Sequence, residues 1–286
     1  MTNDTFASLQ SLVIDMDGVL WRGDTPMPGL VDFFEALRTC DINFVLATNN
    51  ATRVAEQYAA KLQRFGVEVS PRDILTSAEA TASYLRHRFD AGSTAYVVGE
   101  AGLRQAMEEN GFKVLGDEEE DRFFDADVRA DLVVVGFTRI ACYRQLASAA
   151  FLINNGALFV GTNPDVTFPH EVGPLPGAGS YLAFLQAATN VEPIVVGKPG
   201  HAIFNEALAR LESAPELTAM IGDRLETDIA GAQAAGLHTI LLLSGVTSRQ
   251  KLADSPIEPD VVLDNIQELT RRLLVQRGFT VPAHDV

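Results

Sequence analysis

The sequence predicts an α/β protein built on a doubly wound parallel sheet, with a second α/β domain inserted into it. Apolar runs of strand length alternate with segments whose apolar residues recur at helical spacing, which is the pattern of a parallel sheet covered on both faces. The length of 286 residues indicates two domains, because one domain takes roughly 150 residues. A segment rich in Pro and Gly at 166–180 suits a hinge between them.

The N-terminal elements follow one another in the order strand, helix, strand, helix. The run "SLVI" predicts the first strand, and Leu30, Phe34 and Leu37 recur at helical spacing behind it. The run "FVLA" predicts the next strand. The helix after it ends near Gly66, a residue that readily adopts the left-handed conformation of a helix cap.

The same alternation returns in the C-terminal part, where "IVVG", "AMIG", "TILLL" and "VVL" predict strands with helical segments between them. Two segments between these parts each run in the order strand, glycine, helix, glycine, beginning at "STAYVVG" and "ADLVVVG". We therefore predict a discontinuous core of residues 1–79 and 178–286, and an inserted α/β cap domain of residues 80–177.

Composition and charge narrow the class of partner. Hydrophobic residues make up 47% and charged residues 21%, as in ordinary globular proteins. The net charge of −16 argues against nucleic acid and against an anionic membrane surface, since both require a basic face. No apolar run approaches the ~20 residues that span a bilayer. An acidic protein can still bind a small anion, but it then needs a local device such as a metal ion or a helix N-terminus.

The cysteines and the N-terminus indicate a cytoplasmic protein. Cys40 and Cys142 are far apart without metal-ligand spacing, and we expect two buried thiols rather than a disulfide. The first residues show neither the basic nor the apolar region of a signal peptide.

Polar side chains follow four of the predicted core strands at the point where each strand ends. Asp15 and Asp17 follow the first strand, and Thr48 and Asn49 follow the second. Lys198 follows "IVVG". Asp223 follows "AMIG", with Asp228 slightly more than one helical turn further. Because parallel strands present their carboxyl ends at one edge, these groups are predicted to form one site.

The predicted site has the chemistry of phosphoryl transfer. Asp15 and Asp223 can hold a hard cation through oxygen, and Mg²⁺ prefers such ligands together with a substrate phosphate. Thr48 and Asn49 offer hydrogen-bond donors, and Lys198 supplies a positive charge.

In this site the two neighbouring aspartates have different roles. Asp15 is placed to attack phosphorus and form an aspartyl-phosphate. Asp17 would protonate the leaving oxygen and then deprotonate the hydrolytic water. Gly18 allows the sharp turn that follows.

The segments "DMDGVLWRG", "TNN", "VGKPG" and "GDRLETDI" resemble, in order and spacing, the four motifs of the haloacid dehalogenase superfamily. The chain is similar to its branch of 4-nitrophenylphosphatases, phosphoglycolate phosphatases and pyridoxal phosphatases. The resemblance implies a Rossmann-like core with a C2-type cap and Mg²⁺ as the cofactor.

The resemblance also implies a role for each matching residue. Asp15 is the nucleophile and Asp17 the general acid/base, while Asp15, the Asp17 carbonyl and Asp223 bind the metal. Thr48, Asn49 and Lys198 bind phosphate, and Asp228 orients Lys198 or a metal-bound water. One position departs from the branch, which usually has Phe-Asp where this chain has Phe-Thr138. That departure concerns the cap and therefore substrate choice.

Several alternatives stay open at this point. The same aspartyl-phosphate chemistry serves phosphotransferases and phosphomutases, and a receiver-like signalling module also places Asp, Thr and Lys at strand ends. We expect a small-molecule phosphate ester as substrate and a homodimer through the cap, and the particular ester is not readable. We interpret Trp21 as a packing residue, and Asn163 and Asp165 as residues that shape a loop.

Overall fold

The computed structural model describes residues 8–116, 128–168 and 173–280, and groups the chain into two compact units. The first unit contains the described residues of Met1–Thr48, Glu56–Leu75 and Phe204–Val286, and the second those of Asn49–Ala55 and Thr76–Ile203. The predicted core of 1–79 and 178–286 differs from this division. Residues 49–55, 76–79 and 178–203 group with the second unit, and the predicted extent of the cap stays a prediction.

Strands and helices alternate along the described residues. The strands are β1 (Ser11–Ile14), β2 (Trp21–Arg22), β3 (Thr25–Pro26), β4 (Asn43–Thr48), β5 (Ile74–Thr76), β6 (Thr94–Val98), β7 (Lys113–Leu115), β8 (Leu132–Val135), β9 (Leu158–Gly161), β10 (Thr167–Phe168), β11 (Leu175–Pro176), β12 (Ile194–Val195), β13 (Thr218–Gly222), β14 (His238–Leu242) and β15 (Val261–Leu263).

Most of the helices are short, of two to three turns. They are α1 (Leu30–Thr39), α2 (Ala55–Arg64), α3 (Ser77–Arg86), α4 (Ala101–Glu109), α5 (Tyr143–Asn154), α6 (Ala178–Thr189), α7 (His201–Leu211), α8 (Ala230–Ala234), α9 (Arg249–Ala253) and α10 (Ile266–Gln276), with 3-10 turns at Pro71–Asp73 and Pro215–Leu217 and a π-helical turn at Leu225–Ile229.

The first unit is built on a sheet with the strand order β15-β14-β13-β1-β4-β5, in which β1 lies between β13 and β4. The pairs of β1 with β13 and with β4 are parallel, as are β13–β14 and β14–β15. Every residue of β1 and β13 is buried, which fits strands covered on both faces. This sheet confirms the predicted α/β class.

The second unit has its own parallel sheet with the order β12-β9-β8-β6-β7. Here the structure corrects one expectation, because "IVVG" was assigned to the core sheet. Instead, Ile194 pairs with Val160 and Val195 with Gly161 of β9. An apolar run indicates a buried strand but not which of two parallel sheets it joins, since both sheets require the same pattern.

The cysteines also differ from expectation. Both are free, but only Cys40 is buried, whereas Cys142 is exposed immediately before α5. Burial raises the pKa of the Cys40 thiol.

None of the helices within the described ranges is long and apolar enough to cross a membrane.

Candidate active site

Two of the predicted aspartates come together because their strands are neighbours. Asp15 directly follows β1, and Asp223 directly follows β13, the parallel partner of β1. The ladder continues one step beyond β1, where the Asp15 N–H donates to the Ile221 carbonyl over 2.8 Å. The carboxyl edge of the first sheet therefore presents Asp15 and Asp223 side by side, as predicted.

Asp228 joins them to form a cluster of three carboxylates. Asp15, Asp223 and Asp228 each offer an oxygen within 4.8 Å of the other two. Their exposed fractions are 8%, 0% and 1%, so all three carboxylates are buried. Buried like charges at this separation repel one another strongly unless a cation lies between them or a proton is taken up.

Asp228 also shapes the loop that bears Asp223. Its Oδ2 accepts the backbone N–H of Asp223 at 3.2 Å and that of Arg224 at 3.0 Å. It lies in the π-helical turn Leu225–Ile229, which brings its side chain back to the end of β13. That Asp228 orients Lys198 or a bound water stays a prediction.

Nearby segments of backbone enclose the side chain of Asp223. Its Oδ2 accepts the Val246 N–H at 2.7 Å, and its carbonyl accepts the Thr247 N–H at 3.1 Å. A Cβ atom on Gly18 or on Gly245 would overlap this carboxylate. Glycine at both positions thus lets two chain segments approach the Asp223 side chain closely.

This donor set fits a hard divalent cation. Carboxylate oxygens are the ligands that Mg²⁺ and Ca²⁺ prefer, and the buried cluster offers one from each of Asp15, Asp223 and Asp228. A cation would offset the repulsion that burial creates.

Replacing Gly245 with alanine should disturb this enclosure. The added methyl group overlaps the Asp223 carboxylate, and overpacking of this kind costs roughly 1–3 kcal/mol of unfolding free energy. We expect a lower thermal midpoint and a smaller stabilisation by added divalent cation, both measured by circular dichroism. Val246→Ala is the matched control, because its side chain is 52% exposed and its backbone N–H is retained. Wild-type behaviour of Gly245→Ala would contradict the enclosed geometry.

The environment of Asp17 differs from that of the buried cluster. Its side chain is exposed, and its Oδ1 accepts the indole N–H of Trp21 at 2.8 Å. Trp21 itself is fully buried and stacks on Tyr58, which agrees with its interpretation as a packing residue. This hydrogen bond was not predicted from the sequence. The available signal was that Asp17 and Trp21 lie four residues apart within a turn.

Thr48 and Asn49 are consecutive but group with different units. Thr48 is the buried last residue of β4 in the first unit. In the second unit, the Asn49 amide donates to the Lys198 carbonyl at 2.9 Å and to Asp165 Oδ2 at 3.2 Å. Both amide hydrogens of Asn49 are thus engaged, and a role in binding phosphate stays a prediction.

Lys198 belongs to the second unit, just beyond β12. It is 2% exposed, which is unusual for a lysine and requires compensation of its charge by neighbouring groups. Its backbone carbonyl accepts from Asn49. Its predicted contact with phosphate stays a prediction.

The loop after β9 behaves as expected for Asn163 and Asp165. Asn163 Oδ1 accepts the Asp165 N–H at 3.1 Å, which is the local turn that Asn side chains form. The Asn163 amide also donates to the Asn49 carbonyl at 2.7 Å, as does Ser77 Oγ. These residues hold Asn49 in the second unit, a role that the sequence alone did not indicate.

Thr138, the position noted in the sequence analysis as a departure from the resemblance, lies within the packing of the second unit. Its side chain is 3% exposed, and its carbonyl accepts the Tyr181 hydroxyl at 2.8 Å. Nη1 of the next residue, Arg139, donates to both carboxylate oxygens of Glu100, at 2.8 and 2.7 Å.

Comparison with known proteins identifies the family. A family model described as haloacid dehalogenase-like hydrolase matches residues 12–113, and one described as HAD-hydrolase-like matches residues 195–269. Dihydroxyacetone phosphatase of Corynebacterium glutamicum is 37% identical over 259 residues, covering 91% of this chain and 90% of its own.

Solved structures agree with this assignment. The 4-nitrophenylphosphatase of Thermotoga maritima is similar with a TM-score of 0.85 and 32% identity, covering 93% of this chain and 98% of that one. A glycerol phosphate phosphatase of Mycobacterium tuberculosis, solved in complex with magnesium, has a TM-score of 0.81 and 34% identity, covering 94% of this chain and 77% of that one. The chain therefore belongs to the haloacid dehalogenase-like hydrolases, and among them to the phosphatases.

Proposed function

We propose that this protein is a Mg²⁺-dependent phosphatase that hydrolyses a small-molecule phosphomonoester through an aspartyl-phosphate on Asp15. The observation that supports it most directly is the buried cluster of Asp15, Asp223 and Asp228 at the carboxyl edge of the first sheet. Asp17 is two residues from the nucleophile and exposed, as a group that exchanges protons with substrate and water must be.

Mg²⁺ would be held by the Asp15 and Asp223 carboxylates and the Asp17 carbonyl, with Asp228 beside them. When bound, it neutralises charge between these carboxylates and the substrate phosphate. Magnesium in the related glycerol phosphate phosphatase supports the choice of ion.

The chemistry divides between two aspartates. A carboxylate oxygen of Asp15 forms a bond to phosphorus while the ester P–O bond breaks, and Asp17 gives its proton to the departing oxygen. In the second half, Asp17 takes a proton from water as the water oxygen bonds to phosphorus. The bond between phosphorus and Asp15 then breaks, so that inorganic phosphate leaves and both aspartates return to their starting forms.

The phosphate-binding roles of Thr48, Asn49 and Lys198 belong to the same proposal. They rest on the order of the four motifs in the sequence and on the family. The buried ammonium of Lys198 has the charge that such a role requires.

Two of the related proteins are named for three-carbon phosphate esters, dihydroxyacetone phosphate and glycerol phosphate. We therefore propose that the first substrates to test are short phosphomonoesters that carry no charged group besides the phosphate. The homodimer through the cap and the cytoplasmic location stay predictions.

A panel of phosphomonoesters tests this function. We expect release of inorganic phosphate from small esters with water as the sole acceptor, loss of that release with a chelator, and recovery with Mg²⁺. The panel should include dihydroxyacetone phosphate, glycerol 3-phosphate, phosphoglycolate, pyridoxal phosphate, a nucleoside monophosphate, a sugar phosphate and a phosphopeptide. Preference for the phosphopeptide would contradict the substrate class, and dependence on an added sugar acceptor would instead indicate a phosphotransferase.

A further inference from the structure

We infer that Trp21 is a positioning residue for Asp17. The indole N–H of Trp21 holds one oxygen of the Asp17 carboxylate and leaves the other oxygen to exchange the proton. The inference rests on the proposed function, because it assumes that Asp17 transfers protons. Its basis is the hydrogen bond from Trp21 Nε1 to Asp17 Oδ1, which is 2.8 Å long. A carboxylate held at one oxygen has lost the rotation that would otherwise misdirect the other.

The backbone brings these two residues together. Asp17 and Trp21 form an isolated β-bridge, and the Gly18 N–H donates to the Trp21 carbonyl at 2.8 Å. Gly18 has a φ of 92°, which L side chains rarely adopt. The turn between Asp17 and Trp21 therefore closes on itself and returns the indole to the side chain of Asp17.

The indole is also held by residues other than Asp17. Trp21 is fully buried, and its ring is nearly parallel to that of Tyr58, with centroids 6.4 Å apart. The ammonium of Lys61 lies 4.3 Å from the indole centroid, within the range of a cation–π interaction. An immobile, buried donor thus faces an exposed carboxylate.

Lys61 connects this packing to the β2–β3 hairpin. Its side chain is only 6% exposed, and its Nζ donates to the Gly23 carbonyl in the hairpin turn at 2.7 Å. Asp24, 4.0 Å away, is 96% exposed and contributes little to holding the ammonium. The lysine therefore links the hairpin to the indole.

Proton transfer depends on this orientation, because the acid must point at the leaving oxygen while phosphorus is attacked. A misplacement of about 1 Å can cost a hundredfold in rate. The need for a proton also depends on the substrate, since an alkoxide leaving group requires protonation and 4-nitrophenolate leaves as a stable anion.

Trp21→Phe tests the inference, because phenylalanine keeps an aromatic ring and removes the N–H donor. We expect kcat/KM for glycerol 3-phosphate to fall roughly 10- to 100-fold. The value for 4-nitrophenyl phosphate should change little. An equal loss with both substrates would show a merely structural role and overturn the inference, as would wild-type rates with both.

Phe65→Leu is the matched control. The Phe65 ring lies 6.2 Å from the indole, so its loss disturbs the packing but leaves the N–H in place. The ratio of the two kcat/KM values should stay that of the wild type. If Trp21→Phe does not fold, β-(3-benzothienyl)alanine at position 21 keeps the shape of indole without the N–H and should give the same substrate dependence.

Asp17→Asn separates this inference from the proposed function. Retained hydrolysis of glycerol 3-phosphate by Asp17→Asn would overturn both. If Asp17→Asn is impaired while Trp21→Phe shows no substrate dependence, the positioning role is wrong and the proposed function stands. In the double variant, Trp21→Phe should add no further loss to Asp17→Asn, because the two residues act through one carboxylate. Additive losses would overturn the inference.

Discussion

Asp15→Asn should abolish phosphatase turnover while leaving the fold intact. The amide cannot form the covalent bond to phosphorus, and loss of a nucleophile lowers kcat by roughly 10⁴-fold or more. The fold should persist because asparagine has nearly the same shape, and because one of the repelling charges in the buried cluster is removed. Initial rates with 4-nitrophenyl phosphate and thermal unfolding by circular dichroism provide the measurements.

A surface aspartate gives the control for this substitution. Asp254 is exposed, and its carboxylate accepts only from the neighbouring Gln250 at 2.8 Å among the hydrogen bonds described. Asp254→Asn should therefore keep the wild-type rate. Turnover by Asp15→Asn close to the wild-type rate would reject Asp15 as the nucleophile.

Asp223→Asn should remove the dependence of stability on Mg²⁺. Asp223 is the most deeply buried member of the cluster, and asparagine replaces its charge by a neutral amide. We expect the affinity for Mg²⁺, measured by isothermal titration calorimetry without substrate, to fall roughly 100-fold or more. Because a ligand that binds only the folded state stabilises it, the wild type should gain about 2.7 kcal/mol at a hundred times its Kd, and the variant almost nothing.

The change in stability that Asp223→Asn causes without metal distinguishes a cation site from ordinary packing by its sign. Without Mg²⁺ and with chelator present, Asp223→Asn should be at least as stable as the wild type, because it relieves repulsion among buried carboxylates. The Val246 N–H keeps an acceptor in the asparagine oxygen. A variant that is destabilised in chelator and still gains stability from Mg²⁺ would contradict the assignment of Asp223 as a ligand.

The sequence indicated the carboxylate cluster because strand ends are local features. Asp15 and Asp223 each follow an apolar run of strand length, and two parallel strands that end in polar residues place them at one edge. In the structure β1 pairs with β13 in parallel, so Asp15 and Asp223 lie at the same edge of the sheet. The position of Asp228 follows for a similar reason. Asp228 comes five residues after Asp223, and the helical turn that begins there brings its side chain back to the end of the strand.

Other features depended on partners that are remote in sequence. The run "IVVG" was predicted to be a strand and forms β12 at Ile194–Val195, yet β12 pairs with β9 rather than with the first sheet. Asn49 was expected to offer donors to a phosphate, which stays a prediction, and the contacts of its side-chain amide with Lys198 and Asp165 were not expected. No local pattern indicates these contacts, because both partners lie far away in the sequence.

The sequence by itself determined the α/β class, the alternation of elements and the candidate residues for phosphoryl chemistry, because these follow from periodicity and residue type. Only the tertiary structure decided which sheet each strand joins, how closely Gly18 and Gly245 approach Asp223, and that Trp21 binds Asp17. The first two depend on distances between atoms of separate segments, and the third on how the turn from Asp17 to Trp21 packs.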